Sequence, residues 1–139
     1  MTLVIDASVA LTWCFEDEQR PETDAIGRRI LGEGVWAPAH FCVEIANVVL
    51  VAERRRRITP AEAEAEARLA RLALMPISLD AAVPDLWERL MPLAREERLT
   101  VYDSAYLELA LRLGAEIATL DTALAAAARR HGLTVLPRD

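Results

Sequence analysis

The feature that most constrains this chain is a unit found at both of its ends: a short apolar run, an aspartate, then a segment with helical spacing. Residues 2–5 are β-branched and apolar, end at Asp6 and lead into a helix-spaced stretch at 7–15. Residues 116–120 repeat the pattern, followed by Asp121, an Ala-rich helix over 121–130, a stop at Gly132 and a last strand at 133–136. Runs this short with no polar alternation read as strands buried on both faces. Between the ends the spacing predicts helices at 22–32 and 39–56, strands at 35–37 and 77–79, and a helix at 103–113 closed by Gly114. Thr59, Pro60 and Glu62 form a capping box with proline at the first helical position, and Glu64 and Arg68 make an exposed pair one turn apart. Helical turns over 83–97 are expected to break or kink at Pro92. Strands alternating with helices predict a central parallel sheet covered on both faces, a three-layer α/β/α sandwich. At 139 residues, with no internal repeat or linker, residues 1–139 read as a single domain.

Charge narrows the chemistry. All sixteen basic residues are arginines, and there is no lysine. That excludes a P-loop and a Schiff-base enzyme, and it disfavours an aspartyl-phosphate domain, which also needs a second aspartate where Ser8 stands. The net charge of −6 excludes nucleic-acid binding by bulk electrostatics, so any such contact must come from a local arginine patch or a metal. The apolar run at 3–15 is interrupted by Asp6 and has no basic leader, so no membrane span or signal peptide is expected and the chain reads as soluble and cytoplasmic. Cys14 and Cys42 read as small core residues.

In parallel α/β sheets ligands bind at the carboxyl ends of the strands, where Asp6 and Asp121 lie. Each is equally readable as a helix N-cap, and Asp103, at a third helix start, carries the same alternative. Glu44 lies in a stretch apolar on nearly every face, which predicts a buried helix; its carboxylate must be paired with an arginine, protonated or bound to a cation. Asn47, one turn on, faces the same way and is placed to bond whatever Glu44 holds. If the fold gathers Asp6, Glu44, Asp103 and Asp121, each like-charged pair costs roughly 4 kcal/mol at ~4 Å and intermediate dielectric, so the cluster requires a divalent cation. All-oxygen donors without His or Cys select Mg²⁺ or Mn²⁺. Such a site suits phosphodiester hydrolysis, since the metal polarises a phosphoryl oxygen and acidifies the attacking water.

The wording and order of four stretches, Val-Ile-Asp-Ala-Ser-Val-Ala-Leu at 4–11, Glu-Ile-Ala-Asn-Val-Val at 44–49, Leu-Thr-Val-Tyr-Asp-Ser-Ala-Tyr at 99–106 and Ala-Thr-Leu-Asp-Thr-Ala-Leu at 118–124, resemble the PIN-domain ribonucleases, specifically the VapC-type toxins of prokaryotic toxin–antitoxin pairs. The resemblance implies a Mg²⁺- or Mn²⁺-dependent endoribonuclease whose acidic quartet is Asp6, Glu44, Asp103 and Asp121. Asp6 and Asp103 would be direct metal ligands, with Ser8 and Thr119 as hydroxyls behind them. Where some members carry a further acid after the last one, this chain has Thr122, Ala123 and Leu124. The family further implies a homodimer, a cognate VapB-like antitoxin and cleavage of structured RNA. The rival reading is a non-catalytic PIN-like module that binds RNA or a protein partner.

The other conspicuous residues have plainer readings beside functional ones. Arg54, Arg55, Arg56 and Arg57 end a helix, where cations complement the dipole, or else contact RNA or antitoxin. Tyr102 is a candidate for stacking on a base, whereas Tyr106 shares a core face with Leu109, Ala110 and Leu113. Leu107 and Leu111 add apolar surface that fits either an interface or deep burial. Trp13, Trp36 and Trp87 read as core or interface anchors, and His40 and His131 as structural or exposed.

Overall fold

The computed structural model of the chain describes residues 1–59, 62–81 and 85–139. Strands β1 (Leu3–Ile5), β2 (Val35–Pro38), β3 (Ile77–Asp80), β4 (Glu116–Ala118) and β5 (Val135–Leu136) form one sheet in the order β3-β2-β1-β4-β5. Every neighbouring pair is parallel. The helices are α1 (Ala7–Cys14), α2 (Pro21–Glu33), α3 (Phe41–Arg54), α4 (Glu62–Ala73), α5 (Leu86–Glu97), α6 (Val101–Leu113) and α7 (Thr122–Arg130), with a 3-10 turn at Glu16–Glu18.

From β1 the chain steps outward through β2 to β3, then returns to the other side of β1 for β4 and β5. Right-handed crossovers therefore send the first four helices to one face of the sheet and the last three to the other. The packing agrees: α1 contacts α2, α3 and α4, whereas α6 contacts α5, α7 and the strands β1, β2 and β4. The expected three-layer sandwich results. The strand order reverses between β1 and β4, and the crevice outside their carboxyl ends is where this class of sheet binds ligands.

The core lies where the sequence is most uniformly apolar. All of β1 and β4 is buried, as is every residue of α6 from Ser104 to Ala110. Deep burial thus accounts for Leu107, while Leu111 is only half-buried.

Several expectations need correction. The helix carrying Glu44 is not buried all round: Phe41, Ile45 and Val49 point inward, but Cys42 and Val43 are exposed, Val43 by 71%. A stretch apolar on every face cannot itself say which faces are covered. Pro92 does not interrupt α5, which runs through it on a solvent-facing side where the unpaired carbonyl one turn back can be hydrated. Trp87 is 72% exposed, whereas Trp13 is half-buried and its indole N–H donates to the Thr23 carbonyl at 3.2 Å. Of the predicted capping box, Pro60 and the Glu62 side chain lie outside the described residues, as does the predicted helix start at Val83. The Thr59 N–H donates to Glu64 at 3.0 Å, and Glu64 pairs with Arg68 as the spacing predicts.

The start of α6 also differs in a way that matters below. Thr100, not Asp103, is the N-cap, its hydroxyl accepting from the Asp103 N–H at 3.1 Å. Asp103 is thereby lifted into the first turn with its carboxylate released from capping. Thr100→Ala is expected to cost about 1 kcal/mol of stability, the usual worth of a cap, read as a lower urea midpoint with unchanged slope. No change would mean that another group satisfies the helix start.

Candidate active site

The site is built outward from Asp6. Its backbone N–H donates to the Ala118 carbonyl at 3.1 Å, locking it to the end of β4. The residue is only 4% exposed, and its carboxylate receives three hydrogen bonds. Oδ1 accepts from Ser8 Oγ at 2.6 Å and from the Val9 N–H at 3.2 Å, which caps α1, and Oδ2 accepts from Thr119 Oγ1 at 2.5 Å. Both hydroxyls are themselves held, because Ser8 Oγ accepts from the Leu120 N–H at 2.8 Å and Thr119 Oγ1 from the Asp121 N–H at 3.0 Å. A carboxylate offers about four lone-pair positions, so roughly one remains on Asp6 for a further ligand.

Asp121 uses Oδ1 to cap α7, accepting from the Leu124 N–H at 2.7 Å. Asp6 and Asp121 are therefore both caps, yet each retains unused acceptor capacity, so the two sequence readings are compatible.

Glu44 stands half-buried in the first turn of α3. Its Oε2 accepts from the Tyr106 hydroxyl at 2.8 Å and lies 3.4 Å from His40 Nε2. The His40 ring packs edge-on against Tyr106, with centroids 5.1 Å apart. His40 Nε2 is buried and has no hydrogen-bond partner among the described residues. Neither residue stood out in the sequence as part of the site: Tyr106 reads as core by its helical spacing, and His40 has no acid beside it in sequence. The one available signal was the i, i+4 spacing from His40 to Glu44.

The acids sense one another. The Asp6 carboxyl is pushed up to about 6 by burial, in spite of the hydrogen bonds from Ser8, Thr119 and Val9 that lower it, and the Glu44 charge adds to the rise. Asp103 is also raised, by burial first and then by the charges of Asp121 and Glu44. Glu44 goes the other way: burial raises it, but the neighbouring His40 and Tyr106 outweigh this and hold it below its ordinary value. Four separated segments thus bring their acids within electrostatic reach, as the sequence reading required. The hard, all-carboxylate donor set and the two raised acids fit a divalent cation of the Mg²⁺ or Mn²⁺ kind.

Among the described residues, three donor groups come within 4.8 Å of one another at Glu96, Glu97 and His131. This cluster sits at the far end of α7 from Asp121. Glu97 is already bonded to Arg130 and to His131 Nε2, the latter at 2.9 Å, and so ties α5 to α7. The arginine run is divided. Arg55 ends α3, Arg56 takes the left-handed conformation at φ 56°, and the Arg56 and Arg57 N–H groups donate to Glu53 and Ala52 in a Schellman turn. Arg57 bonds Asp17 and Glu18 at 3.0 Å and lies over the Phe15 ring, whereas Arg54, Arg55 and Arg56 are exposed.

The PIN domain family model matches residues 3–130. Ribonuclease VapC12 of Mycobacterium tuberculosis, in the CDC 1551 / Oshkosh and H37Rv strains, is 32% identical over 130 residues, covering 94% of this chain and 92% of its own. The crystal structure of PAE2754 from Pyrobaculum aerophilum superposes with a TM-score of 0.71 at 21% identity, over 98% of this chain and 90% of that one. VapC20 of Mycobacterium tuberculosis, described as a sarcin–ricin loop cleaving toxin, gives 0.61 at 16% identity, over 91% and 95%. FitAcB from Neisseria gonorrhoeae gives 0.60 at 17%, over 96% of both chains. These three structures bear on the fold alone.

Because the folded chain binds the Asp6 proton more tightly than the unfolded chain, the associated stability is fully present below about pH 3.8 and is lost as pH rises through about 6. Asp6→Asn, neutral throughout, is expected to be about 1–3 kcal/mol more stable than wild type near pH 7 in EDTA, and little different near pH 4, by urea unfolding. A less stable variant near pH 7 would reject burial as the dominant cost. Tyr106→Phe keeps the ring and removes the hydroxyl, so the Glu44 carboxyl pKa is expected to rise in a ¹³C NMR titration. An unmoved titration would show that the hydroxyl does not support that charge.

Proposed function

The chain belongs to the PIN-domain family, and from that premise we propose that it is a metal-dependent endoribonuclease of the VapC type, the toxin of a toxin–antitoxin pair. PIN-domain nucleases generally use a divalent metal. The observation that carries the reading is that Asp6 and Asp103 are both pushed toward protonation at the strand-order reversal, with the charges of Glu44 and Asp121 contributing. A cation there relieves that cost, and capping, which accounts for Asp6 and Asp121, does not account for Glu44 and Asp103.

In this reading Asp6 and Asp103 are the principal metal ligands, with Glu44 and Asp121 completing an oxygen site for Mg²⁺ or Mn²⁺. The bound cation supplies neutralisation of phosphoryl charge and acidification of the attacking water. The rest is the work of this chain. Ser8 and Thr119 fix the Asp6 carboxylate by donating to its two oxygens, so its remaining lone pair points in one direction. Tyr106 and His40 keep Glu44 ionised, which suits it to hold a cation or orient water. Asn47, one helical turn from Glu44 and exposed, is placed to hydrogen-bond water or substrate beside it.

RNA is the substrate, a VapB-like antitoxin is the partner, and a homodimer in the cytoplasm is the working form. No helix among the described residues is long and apolar enough to cross a membrane. Relationship to VapC12 supports the antitoxin. So does an apolar cavity of about 300 Å³ between α3, α4 and β3, lined by Phe41, Ile45, Leu69, Leu72 and Met75, which offers a partner segment a seat. The exposed Arg54 and Arg55 lie at the end of the same helix, where an acidic segment of that partner would meet them.

Purified chain free of antitoxin is expected to bind Mn²⁺ by calorimetry and to cleave RNA only when Mg²⁺ or Mn²⁺ is present. Asp103→Asn and Asp6→Asn are each expected to lower cleavage at least about 100-fold and weaken Mn²⁺ binding, with unchanged circular dichroism. Full activity in either folded variant would overturn the site assignment, and a folded wild type that neither binds Mn²⁺ nor cleaves would favour the non-catalytic module.

A further inference from the structure

The cleft that holds Glu44 and Asp103 opens into a pocket of about 530 Å³ whose remaining walls are His40, Val43, Asn47, Thr100 and Tyr102. Two of those walls expose large apolar surfaces beside carboxylates, Tyr102 at 66% and Val43 at 71%. Tyr102 is also steadied from one side, because the His40 ring packs on it with centroids 5.8 Å apart and planes inclined at 49°. Val43 and Asn47 are one turn apart on α3, so an apolar wall and an amide face the same space.

Among the described residues, no arginine lines this pocket. The exposed members of the arginine run begin at Arg54, ten residues beyond Glu44 on the same helix, which is about 15 Å away. Apart from a cation held by the acids, the lining has little with which to neutralise a ligand's phosphates, since it supplies two acids and the whole chain carries a charge of −6. The part of a nucleotide that tolerates these surroundings is its uncharged, flat base.

We propose that this pocket is a subsite for one unpaired nucleobase beside the scissile phosphate. Tyr102 is its stacking platform, Val43 its apolar wall, and the Asn47 amide the donor and acceptor that reads its edge. Tyr102 immediately precedes Asp103 in the first turn of α6, so a base stacked on it places its own phosphate next to that acid. The base must be unpaired because a base within a helix has both faces covered by its neighbours and cannot enter. This subsite rests on the ribonuclease reading above, and it makes base stacking rather than charge the source of affinity.

The test uses the full chain with Mn²⁺ and a pool of random-sequence single-stranded RNA oligonucleotides. Once the cut position is mapped, one cleaved oligonucleotide is remade with an abasic residue on either side of the cut in turn. Tyr102→Ala is expected to raise KM about 5- to 150-fold with a smaller change in kcat, Tyr102→Trp to restore it, and Mn²⁺ affinity to stay unchanged. On one of the two abasic substrates the difference between wild type and Tyr102→Ala should vanish. Raising salt from about 50 to about 200 mM should raise the wild-type KM by less than about threefold, the change expected for neutralising no more than one phosphate. An unchanged KM in Tyr102→Ala, or a steep salt dependence matching several phosphate contacts, overturns the subsite while leaving the nuclease intact. A wild type that cleaves nothing in the pool overturns the ribonuclease reading and the subsite with it.

Discussion

The Asp6 carboxylate and its two hydroxyl donors are the constraint on which the rest of the site depends. Ser8 Oγ and Thr119 Oγ1 each accept from a backbone N–H and each have one proton to give. Both give it to Asp6, one to each oxygen. The 3.4 Å between the two hydroxyls is therefore proximity between acceptors whose protons are already committed. The arrangement suits an ionised Asp6, yet burial works against ionisation. The polar network thus joins the ends of β1 and β4 to the starts of α1 and α7, and it does so around a charge that the fold alone does not compensate.

The four acids are also treated differently from one another. Glu44 receives direct support from Tyr106, with His40 close by, and remains below its ordinary pKa although half-buried. Asp103 is less well supported: Thr100 caps the helix in its place, and burial with the charges of Asp121 and Glu44 outweighs the help it receives from Thr100 and His40. A site meant only to stabilise α6 would have used Asp103 as the cap, where it would gain hydrogen bonds from the helix start. Leaving a carboxylate free and destabilised in the crevice is a local loss that makes sense when another group arrives to share it.

The fold was legible because parallel sheets are written in the simplest pattern, short apolar runs separated by helices, and all five strands fall within runs recognisable in the sequence. Asp6 and Asp121 were legible for the same reason, as the residues next after buried strands. What escaped was whatever depended on long-range packing. Tyr106 has the helical spacing of a core residue and is one, with 1% of its surface exposed, but its hydroxyl reaches an acid 62 positions away. Cys42 and Val43 look identical in sequence to their buried neighbours, and the positions of α1 and α4 decide which side of α3 is covered. The role of Asp103 turned on a cap three residues earlier, where Thr and Asp are both good candidates and geometry chooses.

The use of arginine bears on how such a chain can act on RNA at all. Arg29 joins Glu33 and Glu116, Arg57 joins Asp17 and Glu18, Arg68 joins Glu64, Arg112 joins Asp80 and Glu108, and Arg130 joins Glu97. Part of the positive charge is therefore spent within helices and on tying α2 to β4, α6 to β3 and α7 to α5, a task for which the planar guanidinium is better suited than an ammonium. Exposed arginines outside these pairs, Arg54 and Arg55 among them, stay available to a polyanion, but none of them lines the pocket that holds Glu44 and Asp103. The hold on a polyanion there must come from a site that accepts negative charge only through a bound cation, and from contacts to the uncharged parts of the substrate. In the proposed reading the crevice at the reversal of strand order provides the first, and the exposed Tyr102 beside it is suited to the second. With the proposed subsite, the acidic balance of the sequence, which disfavours indiscriminate binding, becomes a source of selectivity for RNA that presents an unpaired base to the crevice.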